Sequence, residues 1–468
     1  MPEQNGIGAY AAYLPAYVLA GNSLDGAGPR AGGPARSVAA FDEDTVTMAV
    51  EALRGIAADT PAGHQILLAT TNAPYEGKTS AGIVHEALGL DPGVAAADLR
   101  GHRAGATALD LVIRAGAAVA LSDVRTTRPG APDELAQGDA AAAFTAGDAA
   151  AVLLSRAGRT TEVLDRWRLS GERHDHVWDE RFTAEILVAS AKEAAHRALA
   201  DAGLDTVDHV VVASSNARAA AALRRTFGGS GEDAEIERLT GYTGAAHPGL
   251  LLAATLDVAL PGQTVLLLSA AEGADAFVLR VGGGVRTARG GRSVRDQLAD
   301  RENLSYGRYL RWRGLLDVQG PARPAAPSPA APPMHRRAAW KYRLEGALCD
   351  ACGGITTPPG RVCASCGIAG DAGAPGKVSL RDRVATVVSV TRDRLTTMPE
   401  AEVAIVVADF EADGTRGGRL SAYATDVAPE AVVVGMKMRP TFRRLWTTDA
   451  IHNYFWKLRP WEATTNDD

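Results

Sequence analysis

Hydrophobic positions along the first 285 residues follow two alternating rhythms. Short continuous aliphatic runs, such as ILLAT at 66–70 and HVVVAS at 209–214, read as buried strands. Between them lie Ala- and Leu-rich stretches with apolar residues three and four apart, such as AGATALDLVIRAGAA at 104–118, which read as helices. The order of elements repeats. VEALRGIAADTPAGHQILLATT (50–71) is helix, turn and strand, and KEAAHRALADAGLDTVDHVVVASS (192–215) reads the same way. AGATALDLVIRAGAAVALSDV (104–124) is matched by AAHPGLLLAATLDVALPGQTVLLLSA (245–270), and DAAAAFTAGDAAAVLLS (139–155) by the shorter GADAFVLRVGG (273–283). Two copies of one α/β unit in one order, about 1–157 and 158–290, predict a duplicated, layered fold.

The rhythm then breaks. Residues 291–345 read as a helical and Pro/Ala-rich linker, and PARPAAPSPAAPP (321–333), with six prolines, should be extended. Beyond it the strand-like runs VSLRDRVATVVSVTRD, EVAIVVADFEAD, GRLSAYATDV and AVVVGMKMRPTFRRLW predict a small closed β-barrel of the OB type over 376–465.

Composition excludes several classes. With 46% apolar and 22% charged residues, the 468-residue chain is an ordinary globular protein, long enough for several domains. A net charge of −6 without long runs of one sign argues against a dedicated nucleic-acid or membrane-surface binder. No apolar stretch reaches the roughly 18 residues of a membrane span. The first residues show no basic segment followed by an apolar core, so a cytoplasmic protein without a signal peptide is expected.

Cysteine changes the picture most. All four lie between Cys349 and Cys366, and residues 1–348 contain none. Cys349-Asp-Ala-Cys352 and Cys363-Ala-Ser-Cys366 each precede a glycine, the pattern of two knuckles closing a tetrahedral Zn²⁺ shell. A structural zinc ribbon is therefore expected over 346–375, with all four ligands from protein. A ribbon beside a barrel suggests nucleic acid, yet from His335 onward Lys and Arg number 18 against 16 Asp and Glu, so nucleic acid is not expected. One basic and aromatic cluster, around Arg443, Arg444 and Lys457, could instead meet the phosphates of a cofactor.

Other candidate motifs are weaker. NAPYEGKT (72–79) imitates a phosphate loop, but Asn72 stands where glycine is needed and Pro74 removes an amide. GVRTARGGRSVR (284–295) reads as an exit loop. His174, Asp175, His176 and Asp179 in HDHVWDE read as hydrogen-bonding groups rather than metal ligands.

The first zone resembles the thiolase superfamily, and within it 3-hydroxy-3-methylglutaryl-CoA synthase. The likeness covers about residues 5–285 and rests on IGAYAAYLPAYVL, FDEDTVTMAVEAL, ATTNAPYEGKTSAGIVHEALGL, GDAAAAF, DRWR…WDERF and GYTGAAHPGLLLA. The C-terminal part resembles the zinc-ribbon/OB-fold protein that accompanies such enzymes, here fused in one chain. The resemblance implies αβαβα layers, a homodimer, a CoA or phosphopantetheine thioester as substrate, and acyl-CoA or an acyl-carrier protein as partner. It also implies a nucleophilic Cys at the start of a buried helix. That position falls on His102, or on Arg103 in a shifted register. The family's acid/base Glu falls on Thr71, its His within Ser214–Asn216, and its Asn on Thr240 or Tyr242.

A Cys-borne acyl-enzyme is thus excluded. The expected function is an aldol- or Claisen-type C–C bond step on an acyl thioester by acid/base chemistry, with His102 and Tyr242 in the leading roles and His247 and Tyr75 behind them. The alternatives are a non-catalytic thioester-binding scaffold and a direct acyltransferase.

Overall fold

In the computed structural model, residues 6–21, 33–57, 60, 64–228, 231–319, 327–369, 376–411 and 417–461 are described. They group into two compact units. One comprises 1–40, 44–85 and 90–316, the other 41–43, 86–89 and 317–468.

The first unit is built on a nine-stranded sheet whose order mirrors itself about the middle. Outward from Gly6–Tyr13 come Ala140–Ala146, Ala118–Asp123, Gln65–Thr70 and Ala95–Arg100; outward from Ala151–Thr160 come Gly273–Val281, Thr264–Ala270 and His209–Ser214. The halves meet where Gly6 and Ile7 pair with Val152 and Ala151. In each half two parallel strands are followed inward by an antiparallel one. The repeat seen in the sequence is therefore a repeat of strand pairing, but its boundary falls earlier than residue 157, because Ala151–Thr160 opens the second half as Gly6–Tyr13 opens the first. Only the outermost strand of the first half has no counterpart among the described residues.

Between the half-sheets run two central helices, Ala104–Ala115 and His247–Val258. One core joins their apolar residues to Leu67, Val119, Leu121 and Phe144 of the first half and to Val211, Val265, Leu267 and Phe277 of the second. His247–Leu256 is buried on all sides, as expected of a helix that is apolar all round. Outer helices close the layers. Thr45–Leu53, started by an Asp44–Thr47 capping box, packs on the first half, and Glu180–Ala202 with Ala217–Phe227 on the second. The result is five layers, helix–sheet–helix–sheet–helix. The starts of the central helices approach closely, since a Cβ on Gly105 would lie 2.1 Å from the Ala245 carbonyl oxygen. Only glycine fits there.

In the second unit, Glu345–Leu348, Ile355–Thr356 and Gly376–Ser379 form a three-stranded sheet carrying the cysteine turns. A five-stranded antiparallel sheet follows, in the order Arg419–Tyr423, Val403–Phe410, Ala385–Asp393, Lys437–Thr448, Ile451–Pro460. A parallel bridge from Ala424 to Leu458 joins its two outer strands, so the sheet curls onto itself. Pro332 and Pro333, expected to be extended, lead a short helix over Ala331–Arg336. Proline is compatible with a first helical turn because those amides have no helical partner. Residues 321–326 of the Pro/Ala run, 370–375 of the expected ribbon and 462–465 of the expected barrel lie outside the described residues. Among the described residues no helix is long and apolar enough to cross a membrane.

Candidate active site at the head of the central helices

His102 lies immediately before the first central helix, whose N-cap is Arg103. Its Nδ1 is 3.0 Å from the hydroxyl of Tyr242, and its Nε2 is 3.9 Å from Asp175 Oδ2. The Tyr242 ring in turn packs edge-on against His247, with centroids 4.9 Å apart. His247 opens the second central helix and is fully buried. Three residues expected from the sequence thus form one contiguous row across the heads of both helices. Tyr75 occupies a different setting, with its carbonyl accepting from Arg100 at 3.0 Å and its ring 5.9 Å from the Lys78 ammonium.

Electrostatics fix the proton inventory of this row. Burial, reinforced by the nearby Arg125 guanidinium, depresses His102 to about 3, although Asp175 opposes the shift. His102 is therefore neutral at pH 7. Its single ring proton either sits on Nδ1 and is donated to the Tyr242 oxygen, or sits on Nε2, toward Asp175, with Nδ1 accepting from the phenol. Burial pushes the Tyr242 phenol well above its ordinary range, so it remains a donor. Burial likewise lowers His247 to about 4.

The sequence missed the shell around this row. Asp175 is ion-paired with Arg125, and its Oδ1 lies 3.7 Å from Arg168. Burial works against its charge, yet the Arg125 and Arg168 guanidinium groups hold it below the usual carboxylate range. Arg125 also donates to Thr71 and Gln137, and Arg168 to the Thr71 carbonyl. A cavity of about 90 Å³ opens beside these groups, lined among others by Arg125, Arg128, Asp133, Arg166 and Asp175. The polar DRWR segment at 165–168 and the HDHVWDE motif were the available signals. Pairing them with residue 125 required the fold.

Thr71 and Asn72 serve a different purpose from the family's Glu. Their amides, with that of Ala245, donate to the buried Asp123 carboxylate at 2.9, 3.1 and 2.7 Å. Asp123 thereby ties the loop after Gln65–Thr70 to the head of the second central helix. Ser215 and Asn216 both donate to Asp165 at 2.7 and 3.0 Å, and Asn216 caps the helix Ala217–Phe227. Thr240 turns its hydroxyl to the Ile236 carbonyl at 2.8 Å.

The weaker motifs resolve into structural roles. The amides of Ser80 and Ala81 at the helix after NAPYEGKT are taken by Asp98 at 2.8 Å each, leaving no phosphate cradle. Arg286 reaches the Val258 and Ala259 carbonyls at the end of the second central helix. In HDHVWDE, His176 pairs with Glu172 and Asp179 caps the helix Glu180–Ala202.

In the second unit the four cysteine sulfurs lie within 4.8 Å of one another, the only such metal-ligand cluster among the described residues. Gly353 and Gly367 take left-handed φ of 67° and 73°, so each knuckle turns on the glycine after its second Cys. Arg443 and Lys457 depart from expectation. Both are buried, Arg443 between Glu43 and Asp426 at 2.5 and 2.6 Å, and Lys457 against Asp42 at 2.8 Å. Their charges are compensated by protein carboxylates, because an unpaired cation would be too costly there. Arg444 donates to the Phe41 carbonyl at 3.2 Å. The exposed cations of this unit that border a cavity, of about 280 Å³, are Arg336, Arg337 and Lys377.

No family model matches the chain. It is similar to the hydroxymethylglutaryl-CoA synthase of Aeropyrum pernix, 29% identical over 308 residues, which cover 61% of this chain and 85% of that protein. Among solved structures it is similar to an HMG-CoA synthase complexed with CoA (TM-score 0.56, 19% identity, 65% of this chain and 89% of that one). It is also similar to the curacin-pathway HMG synthase in complex with holo donor-ACP (TM-score 0.55, 18% identity, 66% and 88%). About two thirds of the chain therefore carries the thiolase-like fold of the hydroxymethylglutaryl-CoA synthases.

Proposed function

We propose that the chain is an enzyme that binds an acyl thioester, of CoA or a phosphopantetheine carrier protein, and makes or breaks a C–C bond in an aldol- or Claisen-type step without a Cys acyl-enzyme. The observation that carries this reading is the Tyr242–His102 hydrogen bond at the head of the central helix, where the related synthases are expected to hold their nucleophile. An imidazole has no thiol to carry an acyl group as a thioester, but it can hold a phenol. With the His102 proton on Nδ1 and donated to the Tyr242 oxygen, the phenol keeps its single O–H to donate to an oxygen that becomes negative as the bond forms. The flanking Arg125, Arg166 and Arg168 favour such charge in a site shielded from water. The likeness to synthases described in complex with CoA and with a carrier protein supports the substrate class.

The cysteine cluster fits a structural zinc. Sulfurs bound to one tetrahedral Zn²⁺ stand about 3.8 Å apart, given Zn–S bonds of about 2.3 Å. The pairs Cys349–Cys366 and Cys352–Cys363 stand at 3.8 and 3.6 Å. The metal would hold the two knuckles of a ribbon together. The strand order and the parallel bridge Ala424–Leu458 support an OB-type barrel beyond it. A homodimer through the thiolase-like unit completes the reading.

Incubation with a panel of CoA thioesters, with and without an aldehyde or ketone, tests the function by product mass. Turnover that survives both His102→Ala and Tyr242→Phe would remove these residues from the mechanism. One observation favours the scaffold as a second reading: His102 is only 8% exposed and already partnered. Thioester binding without turnover on any combination would establish it.

A further inference from the structure

The reaction proposed above needs a base for the α-proton of the thioester, and the row His102–Tyr242–His247 offers no carboxylate. Thr71 stands where the related synthases are expected to carry their Glu. A carboxylate reaches Gly101, beside His102, from the opposite half of the fold. Glu272 sits in the turn between the strands Thr264–Ala270 and Gly273–Val281. Its oxygens lie 3.4 and 3.8 Å from the point where a Cβ on Gly101 would stand, and Gly101 directly precedes His102. Gly101 itself has φ 111°, a conformation that favours glycine, and its lack of a side chain leaves the approach to Glu272 open.

The backbone of Glu272 is held in an unusual state. Its φ is 53°, in the left-handed region where turns ordinarily place Gly or Asn. Such strain persists where surrounding contacts enforce it, and it concentrates at functional sites. The enforcing contacts are visible. Arg103, adjoining His102, donates to the Glu272 carbonyl at 3.4 Å and to both oxygens of Asp275 at 2.8 and 3.2 Å. One arginine thus ties the strained turn to the segment carrying the candidate site.

We propose that Glu272 is the general base of this site, removing the α-proton of the bound acyl thioester. The C–H electron pair moves into the thioester as an enolate, and its α-carbon attacks the acceptor carbonyl. The resulting alkoxide is protonated, with Tyr242 as donor, and the proton on Glu272 returns to the phenol through solvent. No oxidant or further reactant is required. The charged groups facing the carboxylate suit this role. Partial burial raises its pKa, Glu162 and Asp165 add to the effect, and Arg103 opposes it, so the base is stronger than an ordinary glutamate. The assignment rests on the acyl-thioester reading, and its test separates the two.

Exchange of α-hydrogens for deuterium in D₂O, followed by NMR on acetyl-CoA and longer acyl-CoA thioesters, isolates deprotonation from condensation. Glu272→Gln should slow exchange at least about 100-fold while thioester affinity and melting temperature stay at wild-type values. Glu272→Gly, which relieves the left-handed strain, should melt no lower than wild type and be equally slow. Wild-type exchange that Glu272→Gln leaves within about threefold would overturn the assignment alone, since general-base loss costs far more than that. Loss of exchange accompanied by loss of thioester binding would make Glu272 structural and likewise overturn it. Absence of exchange in the wild type on every thioester would overturn the functional reading, and this assignment with it.

Discussion

Replacing Asp42 by Ala should destabilise the second unit severely. The Asp42 carboxylate is fully buried, with Lys457 Nζ at 2.8 Å and the Thr425 hydroxyl at 2.9 Å. At that separation, with an effective dielectric constant near 20, the attraction is about 6 kcal/mol. Part of it offsets desolvation of the two ions. Truncating one partner removes the attraction but leaves Lys457 buried and charged, which costs about 3–5 kcal/mol. For a urea slope of about 2–3 kcal/mol/M, the midpoint should fall by about 1–2.5 M. Trp456, buried in the strand that carries Lys457, supplies a fluorescent report of this unit. Replacing both partners, Asp42→Ala with Lys457→Met, should recover most of the loss, since a buried pair is often matched by apolar groups. The same linkage predicts acid sensitivity. Burial raises the Asp42 pKa, but Lys457 and Arg443 outweigh it and hold the group below its ordinary value. Its stabilisation is therefore present above the unfolded carboxylate range and is lost as pH falls through the depressed folded value. A loss below about 1 kcal/mol for Asp42→Ala, or a double variant no better than the single one, would refute the reasoning.

The remaining predictions concern other elements. Cys352→Ser should abolish metal content, expected at one zinc per chain by mass spectrometry, and release the remaining thiols to a chromogenic reagent; unchanged metal would refute the ribbon. The hairpin Lys437–Thr448 to Ile451–Pro460 turns through Asp449 and Ala450 at φ 52° and 59°, so Ala450→Gly should stabilise by about 1 kcal/mol in thermal melts. His102, held near 3, is neutral throughout the physiological range. The pH profile of kcat/KM should accordingly show no histidine limb between pH 6 and 7. His102→Ala and Tyr242→Phe should each lower turnover by about 100-fold or more.

Local pattern carried a large share of this protein. Apolar patterning marked both central helices: the second is buried on every side and apolar all round, while the first keeps an exposed edge at Thr107 and Arg114. The order of elements exposed the duplication, and cysteine spacing drew four thiols together, since a knuckle of a few residues is a local object. His102 and Tyr242 were legible as candidates from the resemblance, and the fold set them 3.0 Å apart. What escaped depends on pairings between distant parts of the chain. Arg443 and Lys457 looked like phosphate ligands in a basic, aromatic run, yet carboxylates about 400 residues earlier in the chain neutralise them. Asp175 could be noticed but not joined to Arg125. Glu272 offered no signal at all, as one glutamate before a glycine in an ordinary turn. The sequence by itself determined the elements, their repetition and the clustering of the four cysteines, all set by contacts between near neighbours. Only the tertiary structure decided which buried charges compensate one another and which carboxylate faces the head of the central helix, because desolvation and Coulomb energy depend on distance in space and not on distance along the chain.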